Sequence, residues 1–140
     1  MKFLANFFFF TYIGLVVLAG FWGAFVNPEF DFRMLFKLDT DTLTSYSQIN
    51  LISQYRFLRA LELGYGIFSL MFYREIFTEK KFNYLYLWIM LSGALARIVA
   101  IAIDGMPSTL FMFFLIYELL GVIVIFAYTN RQIKTSLNSA

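Results

Sequence analysis

Residues 84–128 read YLYLWIMLSGALARIVAIAIDGMPSTLFMFFLIYELLGVIVIFAY. Two apolar runs, 84–103 and 107–128, meet at Asp104-Gly105-Met106-Pro107. Each run can cross a hydrocarbon core, which takes about 20 residues of helix. So short a connection leaves them no arrangement but an antiparallel hairpin. The turn is tight, and Pro107 suits the first turn of the next helix.

The same pattern extends toward the N-terminus. Residues 3–26 form an apolar run interrupted only by the polar side chains of Asn6 and Thr11, and closed by the breaker pair Asn27-Pro28. The run also resembles a secretory signal peptide, with small residues at Ala19, Gly20, Gly23 and Ala24. It exceeds the usual signal core of about 7–15 residues, so it is read as an uncleaved span. A further helix, capped by Ser45 or Ser47, runs to about Tyr73, with its membranous part over 52–73. The expected fold is therefore all-α: one domain over 1–134, a four-helix transmembrane bundle with spans 3–26, 52–73, 84–103 and 107–128, and a disordered tail over 135–140.

Composition agrees. The chain is 61% hydrophobic and 14% charged, where soluble domains carry roughly 25% charged residues. Its 19 Phe suit lipid-facing and interfacial positions. With no Cys and no His, thiol nucleophiles, disulfides, thiolate or imidazole metal sites and histidine acid–base chemistry are all excluded. A net charge of +2 is too small to suggest nucleic acid. The basic residues are unevenly spread. With both termini cytoplasmic, Lys2, Arg74, Lys80, Lys81, Arg131 and Lys134 lie inside, and the outer loops hold only Arg33 and Lys37, as the positive-inside rule prefers.

The long outer loop alternates Phe30, Phe32, Met34, Phe36 and Leu38 with Asp31, Arg33, Lys37 and Asp39, broken at Leu35. Period two reads as a short extended segment whose aromatics anchor at the interface.

Ionisable residues inside spans are costly, on the order of 2.5–3.5 kcal/mol for Arg or Asp at a helix centre, and they need partners. At about 1.5 Å per residue, Glu62, Arg97 and Glu118 fall roughly 12, 10 and 15 Å below the outer ends of their spans. Arg56, Arg59, Glu62, Gly66, Ser69 and Tyr73 share one helical stripe, and Gly93, Arg97, Ala100 and Asp104 another. The small residues of the first and third spans allow close helix approach.

This pattern has two readings. In one, Arg59–Glu62 and Arg97–Glu118 are ion pairs that fix helix register. In the other, Arg56, Arg59, Glu62, Arg97, Asp104, Tyr117 and Glu118 line an outward-facing site for a lipid-like or quinone-like molecule, with Asp104 ordering the hairpin mouth. The second is preferred, since four charged side chains exceed what register requires. Catalysis is not expected: serine hydrolysis lacks its histidine, no glycine-rich phosphate loop is present, and arginines beside Glu62 and Glu118 favour salt bridges over proton transfer. No resident cofactor or metal is expected. The partners expected are membrane lipids, a small amphiphile or a larger membrane complex, and an oligomer is compatible with the sequence. Transport is disfavoured by the absence of an internal repeat pair.

Phe57-Leu58-Arg59-Ala60-Leu61-Glu62-Leu63-Gly64-Tyr65-Gly66, then Ser92-Gly93-Ala94-Leu95-Ala96-Arg97, the Asp104-Gly105-Met106-Pro107-Ser108 turn and Glu118 together resemble the DUF4345 family. Its members are small bacterial four-helix membrane proteins with no established activity. The likeness covers about residues 53–121; the first span and outer loop match only in being hydrophobic and variable. It implies a multi-pass inner-membrane protein. A looser likeness in architecture is to DoxX-type four-helix proteins, some of them associated with quinone-linked oxidoreductases.

Overall fold

The computed structural model describes the backbone of residues 1–138 and the side chains of residues 1–133. Among them there are helices and no strand: α1 (Lys2–Phe21), a π-helical turn (Trp22–Val26), α2 (Pro28–Leu35), a 3-10 turn (Thr40–Thr42), α3 (Ser45–Met71), α4 (Tyr73–Thr78), α5 (Lys80–Asp104) and α6 (Thr109–Asn138).

Three segments of 25 residues, Lys2–Val26, Lys80–Asp104 and Thr109–Ile133, are long and apolar enough to cross a membrane. Only 22% of the most apolar 18-residue stretch of each is buried within the protein. The rest turns large apolar side chains outward, among them Phe3, Leu18, Trp88, Ile103 and Ile123, as lipid-facing helices do. The fourth expected span is not among these segments. α3 has the length, at 27 residues, but Arg56, Arg59 and Glu62 interrupt its apolar stretch, and it does not qualify by composition.

The chain divides into two units, one comprising Met1–Tyr12 and the chain from Met71 onward, the other Ile13–Leu70. In the first, the α5–α6 hairpin is antiparallel as expected. Asn83 meets Thr129, Met90 meets Gly121 and Arg97 meets Glu118, so contacts climb one helix as they descend the other. Gly105, at φ +104°, makes the turn that a side chain would strain. Pro107 precedes α6 rather than opening it, and the Ser108 carbonyl accepts the first helical bonds. The chain breaks at Phe72 between α3 and α4, so the helix expected to run to Tyr73 ends two residues earlier. Asn83 Nδ2 then donates to the Ile76 carbonyl at 2.9 Å and ties α4 to α5. Phe9, Tyr73, Phe77 and Tyr86 form an aromatic core with centroids 5.1–5.4 Å apart. α6 continues to Asn138, and the last residues of the expected tail, 139–140, lie outside the described residues.

In the second unit, the later part of α1 packs antiparallel on α3, with Val17 against Gly66 and Gly20 against Leu63 and Arg59. The outer loop is another correction: the alternating stretch is helical, not extended. Asn27 Oδ1 caps α2 by accepting from the Phe30 N–H at 3.0 Å, Pro28 stands at the first helical position, and Glu29 and Asp31 lie in the first turn. These N-terminal signals outweigh a period-two pattern only a few residues long. Phe32 and Phe36, one turn apart, then both reach the Tyr55 ring. Lys37, at φ 56°, reverses the chain so that the Leu38 N–H meets the Phe32 carbonyl. α3 is capped by Thr44, whose Oγ1 accepts from the Ser47 N–H at 3.3 Å, rather than by Ser45 or Ser47.

Candidate functional site

Of the residues singled out by sequence, Arg56, Arg59 and Glu62 fall in the second unit, and Arg97, Asp104, Tyr117 and Glu118 in the first. Each group has its own geometry.

Arg59 is the centre of the α3 group. Its Nε donates to the Tyr55 hydroxyl at 2.8 Å, and that hydroxyl donates to Asp31 Oδ2 at 2.7 Å. Asp31 Oδ2 itself lies 3.8 Å from Arg59 Nε. The guanidinium also sits 4.9 Å from the Tyr55 ring centroid, within cation–π range. On its other edge, Nη1 donates to Glu62 Oε2 at 2.5 Å. Burial is unequal: the side chains of Arg59 and Asp31 are 15% and 11% exposed, and that of Glu62 is 47%. One face of the guanidinium is thus walled in, and the other is covered by a half-exposed carboxylate.

Two backbone features position this group. A Cβ at Gly23 would lie 2.7 Å from Arg59 Cγ and 2.9 Å from Asp31 Oδ2, so only glycine lets the arginine stem cross the helix there. α1 ends in a π turn closed by the Asn27 N–H on the Trp22 carbonyl. Four residues after Ala24 stands Pro28, which has no N–H to return. The orphaned Ala24 carbonyl accepts from Arg56 Nη1 at 2.6 Å instead, a cation at a helix C-terminus. Arg56 is therefore used as a cap.

Gly23 is three residues short of the end of the Lys2–Val26 segment, which sets Arg59 roughly 5 Å inside it. Phe21, Trp22, Phe25 and Phe30, which flank Gly23 in sequence, are exposed, an aromatic rim of the kind found at headgroup depth.

In the hairpin, Arg97 Nε donates to Glu118 Oε2 at 3.3 Å, with side chains 36% and 10% exposed. The Arg97 guanidinium also lies 5.7 Å from the Phe111 ring. Tyr117 stacks on Phe113, lies tilted against Phe8 and shares a hydrogen bond with Thr11. Asp104 is the exposed last residue of α5. Its carboxylate makes no hydrogen bond among the described residues, and an acid is unfavourable at a helix C-terminus, so Gly105 rather than Asp104 orders the turn. Among the described residues no cluster of metal-ligating side chains forms.

Both ion pairs expected from sequence are present. Asp31, Tyr55 and Gly23 were missed. Tyr55 was findable, standing one turn before Arg59 on the same stripe. Asp31 was hidden by reading its segment as extended.

No curated protein and no solved structure matches this chain. The sequence model for a domain of unknown function, DUF4345, matches residues 3–129, taking in the first span and outer loop as well as the quoted motifs; by that match over nearly its whole length, the chain belongs to the DUF4345 family.

Proposed function

We propose that this is a small multi-pass protein of a bacterial inner membrane that binds the polar end of an amphiphile at Arg59. The observation that carries the reading is the asymmetry of the guanidinium: one edge is fixed by Tyr55 and Asp31, and the other meets a carboxylate that is 47% exposed. A register-fixing pair needs no such opening. The aromatic rim and the shallow depth suit a molecule with its polar group at the interface and its tail in lipid. In this reading α3 crosses beside α1 as a fourth span, its charges spent on the Ala24 carbonyl and on Asp31. Both termini face the cytoplasm, as the basic residues favour.

The alternative is an accessory subunit of a larger membrane complex in which the charges serve only as ion pairs. The Arg97–Glu118 pair, with Glu118 only 10% exposed, supports that role in the hairpin. Native mass spectrometry of protein released gently from its membrane separates the two. Expected is a bound small amphiphile that survives in wild type and is lost in Arg59→Lys, which keeps the charge opposite Asp31 but not the planar fork. Retention of the amphiphile by a folded Arg59→Lys would refute the site; a stoichiometric protein partner with no small ligand would favour the alternative.

A further inference from the structure

We infer that the group bound at Arg59 is an oxyanion, a carboxylate or phosphate, and that Glu62 is the site's own placeholder for it, displaced when the ligand arrives. The inference rests on the reading of Arg59 as the ligand-bearing residue and adds the ligand's chemistry and the means of its exchange.

The argument is one of unequal restraint around one cation. Tyr55 and Asp31 hold Nε from the buried side, α2 is fixed by its Asn27 cap, and Gly23 gives the stem a channel without a Cβ. The guanidinium therefore stays in place when its outer partner leaves. Glu62 has no comparable hold. It is three residues along the same helix, half exposed, and among the described residues bonded to Arg59 Nη1 alone. Of the two partners only Glu62 is half exposed, at 47% against 15% for Arg59, so a rotamer change of the carboxylate alone suffices to break the bond.

A guanidinium has five N–H donors in a planar fork. Tyr55 and Glu62 account for Nε and one Nη1 bond, and the Nη edge offers a bidentate seat that carboxylate and phosphate match. Charge agrees with this chemistry. Arg59 pairs with both Asp31 and Glu62, and an incoming monoanion that displaces Glu62 replaces a carboxylate of the same charge.

The test uses the full chain in phosphatidylcholine nanodiscs. The chain has two tryptophans, and Trp22 adjoins Gly23, so Trp88→Phe leaves Trp22 as the reporter. Quenching by brominated phosphatidic acid, relative to brominated phosphatidylcholine, gives the preference for an oxyanion headgroup. Glu62→Gln should raise that preference about twofold to fivefold by removing the competitor. Glu29→Gln, the same change of charge on an exposed residue of α2, should leave it unaltered, and Arg59→Lys should lose it. An equal rise in Glu29→Gln would reduce the effect to net charge and overturn the placeholder. Unchanged or weaker preference in Glu62→Gln, with loss in Arg59→Lys, overturns the placeholder and leaves the Arg59 site standing. A preference indifferent to Arg59→Lys overturns the site itself. Inorganic phosphate, added as competitor, distinguishes the source: relief of quenching identifies a free oxyanion as the ligand, and no relief identifies a lipid headgroup.

Discussion

Gly20→Ala gives the sharpest test of how α1 and α3 approach. A Cβ built at Gly20 lies 2.8 Å from the Leu63 nitrogen and 2.9 Å from the Arg59 carbonyl oxygen, against about 3.5 Å or more for an ordinary contact. Both neighbours are backbone, so no rotamer change relieves the clash and the helices must part by roughly 0.6 Å or more. Overpacking of this kind costs about 1–3 kcal/mol. The same substitution gains about 1 kcal/mol of helix propensity, which would blur a single measurement. Gly64 removes the ambiguity, because a Cβ there meets nothing within 4 Å, so Gly64→Ala carries the propensity gain alone. The difference between the two variants is therefore the contact, expected at about 1–3 kcal/mol. Reversible unfolding in mild detergent by added dodecyl sulfate, followed by far-ultraviolet circular dichroism, measures it. Gly20→Ala and Gly64→Ala agreeing within about 0.3 kcal/mol, inside the usual scatter for independent sites, would refute the close approach.

Three further outcomes follow from the same geometry. Arg97→Ala should destabilise the hairpin by about 1.5–3 kcal/mol, because it removes a charged donor from the buried Glu118 carboxylate, and Arg97→Met with Glu118→Leu should recover most of the loss in the same unfolding assay. Thr129→Val removes the donor to Asn83 Oδ1 and should cost about 1–2 kcal/mol with no change in headgroup preference, checked by unfolding and by Trp22 quenching. A single cysteine at Lys80, in a chain that has none, should react with an impermeant maleimide only from the cytoplasmic side; labelling from outside would reverse the proposed orientation.

The sequence discloses most where one physical rule acts alone. The α5–α6 hairpin was legible because two long apolar runs and an Asp104-Gly105-Met106-Pro107 turn admit a single arrangement, and because Arg97 and Glu118 fall at similar depths on the two runs. The α2 segment misled because two rules compete there. Its alternation suggested an extended strand, whereas the Asn27-Pro28 entry and the acids after it specified a helix start, and a cap outweighs a few residues of alternation. That error hid Asp31, since a strand would have turned it toward solvent. The fourth span stands apart from the other three for a related reason. Length marked α3 as a crossing, but its three charges take it below the apolarity of the others, and sequence gave no sign of which backbone group or side chain each charge serves.

The three charges of α3 become intelligible from the way α1 ends. A helix that stops at a proline leaves a carbonyl four residues earlier without its donor, and at Ala24 that carbonyl would face the low-dielectric end of an apolar segment. Arg56 supplies the donor. The same proline starts α2, and one turn of α2 brings Asp31 to Tyr55 and Arg59. Pro28 thus creates the need for one arginine and delivers the counter-ion of the other. Asp31 neutralises Arg59 from the buried side, so the protein has no electrostatic need for Glu62 there, and a second carboxylate on the open edge is more than pairing requires. That surplus separates Glu62 from Glu118. Glu118 is only 10% exposed beside Arg97 in the hairpin, where loss of the arginine leaves a buried carboxylate less compensated. Glu62 can leave Arg59 without stranding a buried charge, and an exchangeable seat for an anion requires that property.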